Sequence, residues 1–432
     1  MGMLKRGVAL ILNHRDFGLL MAVQFAAQAG DGIVQTALAK FIAFGEQEGF
    51  DVEAARSPEE LLRIVLYIFV PYSIISPFLG VVIDRWDRRR LLFLANGLRA
   101  AAVLAVGLVG VTGVPEFALF IAFMLTLAST RVVLATKAAA LPNTIERSVW
   151  VEGNAVSQLG GAAFQLGGAG LAFIAASFVS VQPIVIVGAL VYAVGAATAL
   201  SIRRAEETRV RSTFMAELAR VAGNIMAGLK KVARIPKAAA SISTYFWLRL
   251  LWSFAIAGIG LIARELVAGD DLQILVLTGG AGAAGAGLGF LSAGVLRERA
   301  RSTAHIVLGA SVVAGGAVSV LGSLEAKTAI AVLTFFLGFG FFLGKISLDT
   351  MVQEALGDDF RGRAFSLYDI AYNAAWVIAA MILNLFWTRE FQGPLIAAMG
   401  VVFLVGVGGL AAWFHRAGLL GAAGPAPEEA RT

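Results

Sequence analysis

The segment FGLLMAVQFAAQAGDGIVQTALAKFIAF, Phe17 to Phe44, decides the fold class. It is long enough to cross a bilayer as one helix, yet Gln24, Gln28, Asp31 and Gln35 interrupt its apolar run. Their spacings of four, three and four put them on one helical face. A carboxylate and amides left facing hydrocarbon would lack hydrogen-bond partners, which is too costly to persist. The stripe must therefore face protein or a watery cavity, as in a helix that lines a path through a membrane.

Composition supports a membrane protein. Of 432 residues, 58% are hydrophobic and only 15% charged, with a mean hydropathy of +0.80; soluble domains carry more charge. The 49 glycines suit closely packed membrane helices. With no cysteine, no disulfide can form. The net charge of +6 is dispersed over short loops between apolar runs, which speaks for membrane orientation and against a nucleic-acid partner. The apolar run Val8 to Leu12 is too short for a signal-peptide core and is followed by Asn13, His14, Arg15 and Asp16, so the first span should drive insertion.

Apolar runs of about 20 residues mark twelve spans, near 17–44, 60–83, 91–112, 116–138, 151–179, 182–202, 238–263, 272–296, 304–323, 327–350, 364–387 and 394–414. The fold class is an all-α integral membrane protein with twelve transmembrane helices in two pseudo-symmetric six-helix bundles. Residues 1–202 form the first bundle, 203–237 a cytoplasmic linker, 238–420 the second bundle, and 421–432 a disordered cytoplasmic tail. Phe214, Leu218, Val221, Ile225, Leu229 and Val232 recur at helical spacing in the linker, as in an amphipathic helix on the membrane surface. With both termini cytoplasmic, Lys and Arg crowd the inner segments, while the loop at 45–60 is acidic through Glu46, Glu48, Asp51, Glu53, Glu59 and Glu60. This orientation fits a bacterial cytoplasmic (inner) membrane.

The halves repeat. Gly80, Asp84 and Arg85 follow span two as G-x-x-x-D-R, and Gly294, Glu298 and Arg299 follow span eight as G-x-x-x-E-R. Arg147 and Arg361 occupy the corresponding turns after spans four and ten. Such internal repeats are a transporter design with a substrate site near the midplane.

The run Gly80-Val81-Val82-Ile83-Asp84-Arg85-Trp86-Asp87-Arg88-Arg89-Arg90 resembles the loop motif of the major facilitator superfamily, with Asp87 where that pattern has its second glycine. The resemblance extends through Gly30-Asp31-Gly32, Asn154-Ala155 and Arg361-Gly362-Arg363, and is strongest to the bacterial siderophore and multidrug exporter branch. It implies a conformational latch of Gly80, Asp84, Arg85, Arg88, Glu298, Arg299 and Asp369. One departure counts against antiport: span five carries Gly167-Gly168-Ala169-Gly170 and no proline, where proton-coupled exporters of the family carry a glycine-proline motif.

Asp31 could take up and release a proton, or could only pair with an arginine or cap a kink made by Gly30 and Gly32. The resemblance implies Arg131 in span four as its partner. Arg249, with Tyr245 and Trp252 on the same face of span seven, could attract anionic or aromatic substrates, or could be a packing arginine. Tyr372, Asn373 and Trp376 form a second stripe on span eleven, and Gln158 and Gln165 with Asn154 a third on span five. Lys345 and Asp349 could pair across one turn. Arg99 and Lys40 are read as snorkelling at helix ends, with no role.

No catalytic constellation, metal cluster or cofactor motif is evident, and Gly279 to Gly289 lacks the lysine of a nucleotide loop. A non-enzymatic secondary transporter follows: alternating access, export of an amphipathic or lipophilic small molecule coupled to protons, a monomer whose partners are membrane lipids, that molecule and protons. Two alternatives stay open: an importer or uniporter of a small metabolite, and a non-cycling receptor or lipid-handling scaffold.

Overall fold

The computed structural model describes residues 2–48, 57–75, 86–110, 113, 115–146, 149–203, 223, 226–227, 229–267, 273–324, 326–355, 358–388 and 390–421, and the described residues contain no strand. A short helix, α1 (Gly2–Asn13), precedes the spans. These are α2 (Arg15–Phe44), α3 (Pro58–Ile75), α4 (Arg88–Val109), α5 (Glu116–Ala140), α6 (Trp150–Ala176) and α7 (Val181–Ala199), then α8 (Pro236–Val267), α9 (Gln273–Arg299), α10 (Thr303–Leu321), α11 (Lys327–Ala355), α12 (Asp358–Phe386) and α13 (Gln392–Arg416). Ten of the described helices have the length and hydropathy of a membrane span, and Ile370–Phe386 within α12 is a shorter apolar stretch. With α3 and α12 they make a twelve-helix integral membrane protein built as two pseudo-symmetric six-helix bundles. Gly80, Asp84 and Arg85, most of the linker from 204 to 228 and the tail from 422 lie outside the described residues.

Local chemistry sets several of the boundaries. Asp87 caps α4, its Oδ1 accepting from the Arg90 N–H at 2.8 Å. Gly45 ends α2 at φ 85°, donating to the Phe41 carbonyl at 2.9 Å; a side chain is strained in that conformation. The run Val8 to Leu12, too short for a span, is part of α1, with Leu10 buried in the core and Leu12 79% exposed.

By backbone proximity the chain divides into two compact units, residues 1–57 with 74–221, and 58–73 with 222–432. The first part of α3 thus groups with the second half of the chain, and Phe69 stacks on Trp376 of α12 at 5.7 Å. Within the first unit α2 packs on α6 and α7, and α4 on α5 and α7. Within the second, α8 packs on α12 and α13, and α10 on α11 and α13. These are the same pairings shifted by six spans, so the repeat read from G-x-x-x-D/E-R is also a repeat of packing.

Small residues make the tightest contacts. A Cβ on Gly338 of α11 would sit 2.5 Å from the Gly282 carbonyl oxygen, and one on Gly285 or Gly289 would strike the Phe335 or Phe339 carbonyl. The glycines of α9 therefore let two helix backbones touch, and have no need of a phosphate to explain them.

In the first unit, apolar side chains form two clusters. One includes Phe17, Leu20, Met21, Leu91, Leu92 and Val133; the other includes Ile33, Val34, Val103, Ala172, Val185 and Ala189. Along α2 the first ends at Ala27 and the second begins at Ile33, so Asp31 falls between them.

Candidate functional site

Four helices meet at Asp31. Its Oδ1 accepts from Arg99 Nη1 of α4 at 2.8 Å and from the Tyr192 hydroxyl of α7 at 2.8 Å. Thr130 Oγ1 of α5 lies 2.9 Å from both carboxylate oxygens. Arg99 also donates through Nη2 to Asn96 Oδ1 at 2.5 Å, and its guanidinium carbon stands 4.0 Å from the centre of the Tyr192 ring. Asp31 and Arg99 are 1% and 0% exposed, so neither charge is answered by water. Gly30 creates the room: a Cβ there would lie 2.5 Å from Tyr192 Cδ1 and Cε1.

This geometry corrects two readings. Asp31 pairs with Arg99, not with Arg131, which is only half-buried. Arg99 does not snorkel: α4 runs from Arg88 to Val109, so the residue lies eleven positions from its start and ten from its end, about 15 Å or more from both and out of reach of either. The apolar run begins at 91, three residues after the helix does, so hydropathy alone places Arg99 too near its start. Lys40, the other residue read as snorkelling, is 4% exposed and folds back onto carbonyls past the end of α2, donating to Gly45 at 3.0 Å and also to Gln47.

The glutamine stripe divides. Gln24 is 2% exposed and is fastened to α6, its Nε2 donating to the Ser157 carbonyl at 2.8 Å and to Gln28 Oε1 at 2.7 Å. Ser157 Oγ donates back to Gln24 Oε1 at 2.8 Å. Gly161 leaves space for both amides, since a Cβ there would lie 2.5 Å from Gln24 Nε2. Gln24 and Asp31 thus lie in the interior of the first unit, holding helices together, whereas Gln28, Gln35 and Gln165 are half-buried and Gln158 is exposed.

In the second unit the separate stripes on spans seven and eleven converge. The Arg249 guanidinium lies 3.7 Å from the Tyr372 ring centre and 5.5 Å from those of Phe341 and Trp376. Trp252 stacks on Phe341 at 4.6 Å. Arg249, Tyr245 and Asn373 are buried, and one turn beyond Arg249 the Ser253 hydroxyl is buried with no hydrogen-bond partner among the described residues. A cation ringed by aromatic faces, with a free hydroxyl one turn along, can hold an anionic or π-rich group. Phe341 was invisible to a reading that followed one helix at a time, because α11 supplies it across the bundle.

The proposed latch residues are placed less favourably. Glu298 and Arg299 are exposed at the end of α9, and it is Arg297 that pairs, donating to Glu354 Oε1 at 2.8 Å while Lys237 reaches Oε2 at 2.9 Å. Arg88, with Asp16, Asp87, Arg89 and Arg203, lines an open cleft of about 190 Å³ in the first unit. For Asp369 only a backbone position on α12 is described. Lys345 and Asp349 pair at 2.6 Å, as their spacing predicts.

The sequence profile described as Major Facilitator Superfamily matches residues 20–380. The chain belongs to this superfamily. Uncharacterized MFS-type transporters of Mycobacterium bovis and Mycobacterium tuberculosis are each 26% identical to it over 429 residues, spanning 91% of this chain and 90% of the relative. Among solved structures, a POT family transporter in complex with 5-aminolevulinic acid superposes with a TM-score of 0.67 at 11% identity, over 94% of this chain and 97% of that one. The nucleoside transporter NupG superposes with a TM-score of 0.60 at 14% identity, over 94% and 99%. As a superfamily member with this fold, the protein is a multi-pass membrane transporter that contacts lipid and a small-molecule substrate.

Proposed function

We propose that this protein exports an amphipathic small molecule from the bacterial cytoplasm by alternating access, in exchange for protons, with both termini on the cytoplasmic side. The Arg249 cage carries the substrate reading: one buried cation with Tyr372, Trp376 and Phe341 around it suits a molecule that is flat or apolar over most of its surface and polar at one point. Asp31 is the coupling group. A proton on its carboxylate removes the charge that holds Arg99 and Tyr192, loosening four helices at one point. Such a two-state element is what alternating access needs.

The test compares the sensitivity of cells with and without the gene to a panel of toxic amphipathic compounds, followed by proton flux in everted membrane vesicles given the compounds that score. Export predicts lower toxicity in cells with the gene and compound-driven proton release, with Asp31→Asn abolishing the proton flux and Tyr372→Leu weakening compound response about 2- to 30-fold, the size of a lost cation–π contact. A panel without any effect, and vesicles without flux, would sink the proposal. The absence of proline from α6 favours a second reading, uptake or uniport, which predicts raised toxicity in cells with the gene.

A further inference from the structure

Besides Arg99 and Lys40, a further buried cation lies in the first unit, and neither the sequence pattern nor the Asp31 network accounts for it. Lys137 sits three residues before the end of α5 and is 6% exposed. Its Nζ donates to Ser157 Oγ at 2.6 Å, and among the described residues that is its only hydrogen bond. Among the described residues no carboxylate pairs with it; Asp31, the buried acid of this unit, is held by Arg99. An ammonium has three N–H groups, so two of them are unanswered inside a membrane protein, where an uncompensated buried charge is strongly disfavoured.

The neighbouring groups leave those two hydrogens unanswered. Ser157 Oγ spends its hydrogen on Gln24 Oε1, and Gln24 Nε2 donates to the Ser157 carbonyl and to Gln28 Oε1. The line Lys137–Ser157–Gln24–Gln28 therefore runs from α5 across α6 to α2 with each of its oxygens already accepting one hydrogen bond, and its surplus of hydrogens falls at the lysine. Snorkelling does not explain the position either, since the chain bends into the bundle toward Ser157 and not outward.

We propose that Lys137 is the anion subsite of the transporter: it takes the carboxylate, phosphonate or phosphate monoester group of the transported molecule, with Ser157 and Gln24 fixing the ammonium in place. The counter-charge arrives with the ligand. This rests on the transporter reading above and narrows its substrate to anionic amphiphiles.

Thermal unfolding of the purified full-length protein in detergent tests this, with 2-naphthoate, decanoate and phenylphosphonate as probes at millimolar concentration and their methyl esters as controls. The acids should raise the unfolding midpoint of the wild type and of Lys137→Arg, the esters should not, and Lys137→Gln should bind the acids at least tenfold more weakly. Without ligand, Lys137→Gln and Lys137→Met should melt at or above the wild-type midpoint, because a cation serving only as a structural strut would lower it when removed. The subsite is refuted if no acid shifts the wild type, if Lys137→Gln responds as the wild type does, or if both neutral variants melt lower unliganded. Movement of neutral compounds by wild type and Lys137→Gln alike, with no response to acids, would remove the subsite and leave export standing. Acid-dependent stabilisation lost in Lys137→Gln, without movement of any compound, would remove export and leave the subsite.

Discussion

Replacing Arg99 by leucine tests the centre of the first unit. The substitution strands the Asp31 carboxylate, 1% exposed, between two apolar clusters. Breaking a buried ion pair by removing one partner costs about 3–5 kcal/mol. Asp31 keeps the hydroxyls of Tyr192 at 2.8 Å and Thr130 at 2.9 Å, which places the expected loss near the lower end, at about 3 kcal/mol. Asp31→Asn with Arg99→Leu removes both charges together and should recover about 2 kcal/mol relative to the sum of the single changes. Tyr192→Phe, which deletes a hydrogen bond to a charged group, should cost about 1.5–3 kcal/mol. Reversible unfolding in mixed micelles, followed by tryptophan fluorescence, gives these values and closes the cycle. If Arg99→Leu is as stable as the wild type, or the double variant loses the full sum, the pair does not tie these helices and the coupling role of Asp31 falls with it.

Other expectations follow from close contacts and from charge. Gly30→Ala should destabilise by about 1–3 kcal/mol through overpacking against Tyr192, measured by the same unfolding assay, whereas Gly97→Ala, with open space around it, should not. Glu46 lies beyond the end of α2, where its Oε1 accepts from the Gln182 N–H at 2.9 Å and desolvation raises its pKa above the ordinary carboxylate value, against smaller opposing effects of Gln182 and Lys40. A raised acid contributes stability that is present at low pH and lost as pH climbs through the folded value, so the first unit should gain stability on acidification below neutrality and Glu46→Gln should flatten that profile. The pair Lys345–Asp349 is partly exposed and one turn apart, so Asp349→Asn should change the unfolding free energy by no more than about 0.5 kcal/mol.

Hydropathy made the spans legible, because lipid demands runs of apolar residues of nearly fixed length. It also exposed Asp31, since a carboxylate is conspicuous in such a run. The partners were not legible for a geometric reason. Arg99 is 68 residues away and Tyr192 161, on helices whose rotation about their own axes no single-chain pattern fixes. Arg99 meets the same criterion of intramembrane charge as Asp31, but an apolar run beginning at 91 places it nearer a helix end than the helix from Arg88 does. Lys137 is inconspicuous in the sequence, since it lies close to a helix end, where a lysine ordinarily reaches water. The Arg249 stripe was seen, but its Phe341 face comes from α11 and emerges only when the helices are packed.

The spacing of the Asp31 partners along the chain also sets an order of biogenesis. Arg99 follows Asp31 by 68 residues, Thr130 by 99 and Tyr192 by 161. At about 5–20 residues per second of synthesis, the carboxylate waits about 3–14 s for its guanidinium and about 8–32 s for its phenol. Throughout that interval α2 carries an insertion penalty of about 2.5–3.5 kcal/mol for a mid-helix aspartate. The first transmembrane helix made is therefore among the last to be secured, and a nascent chain released before α7 emerges leaves its opening helix without the contacts that keep it in the bilayer.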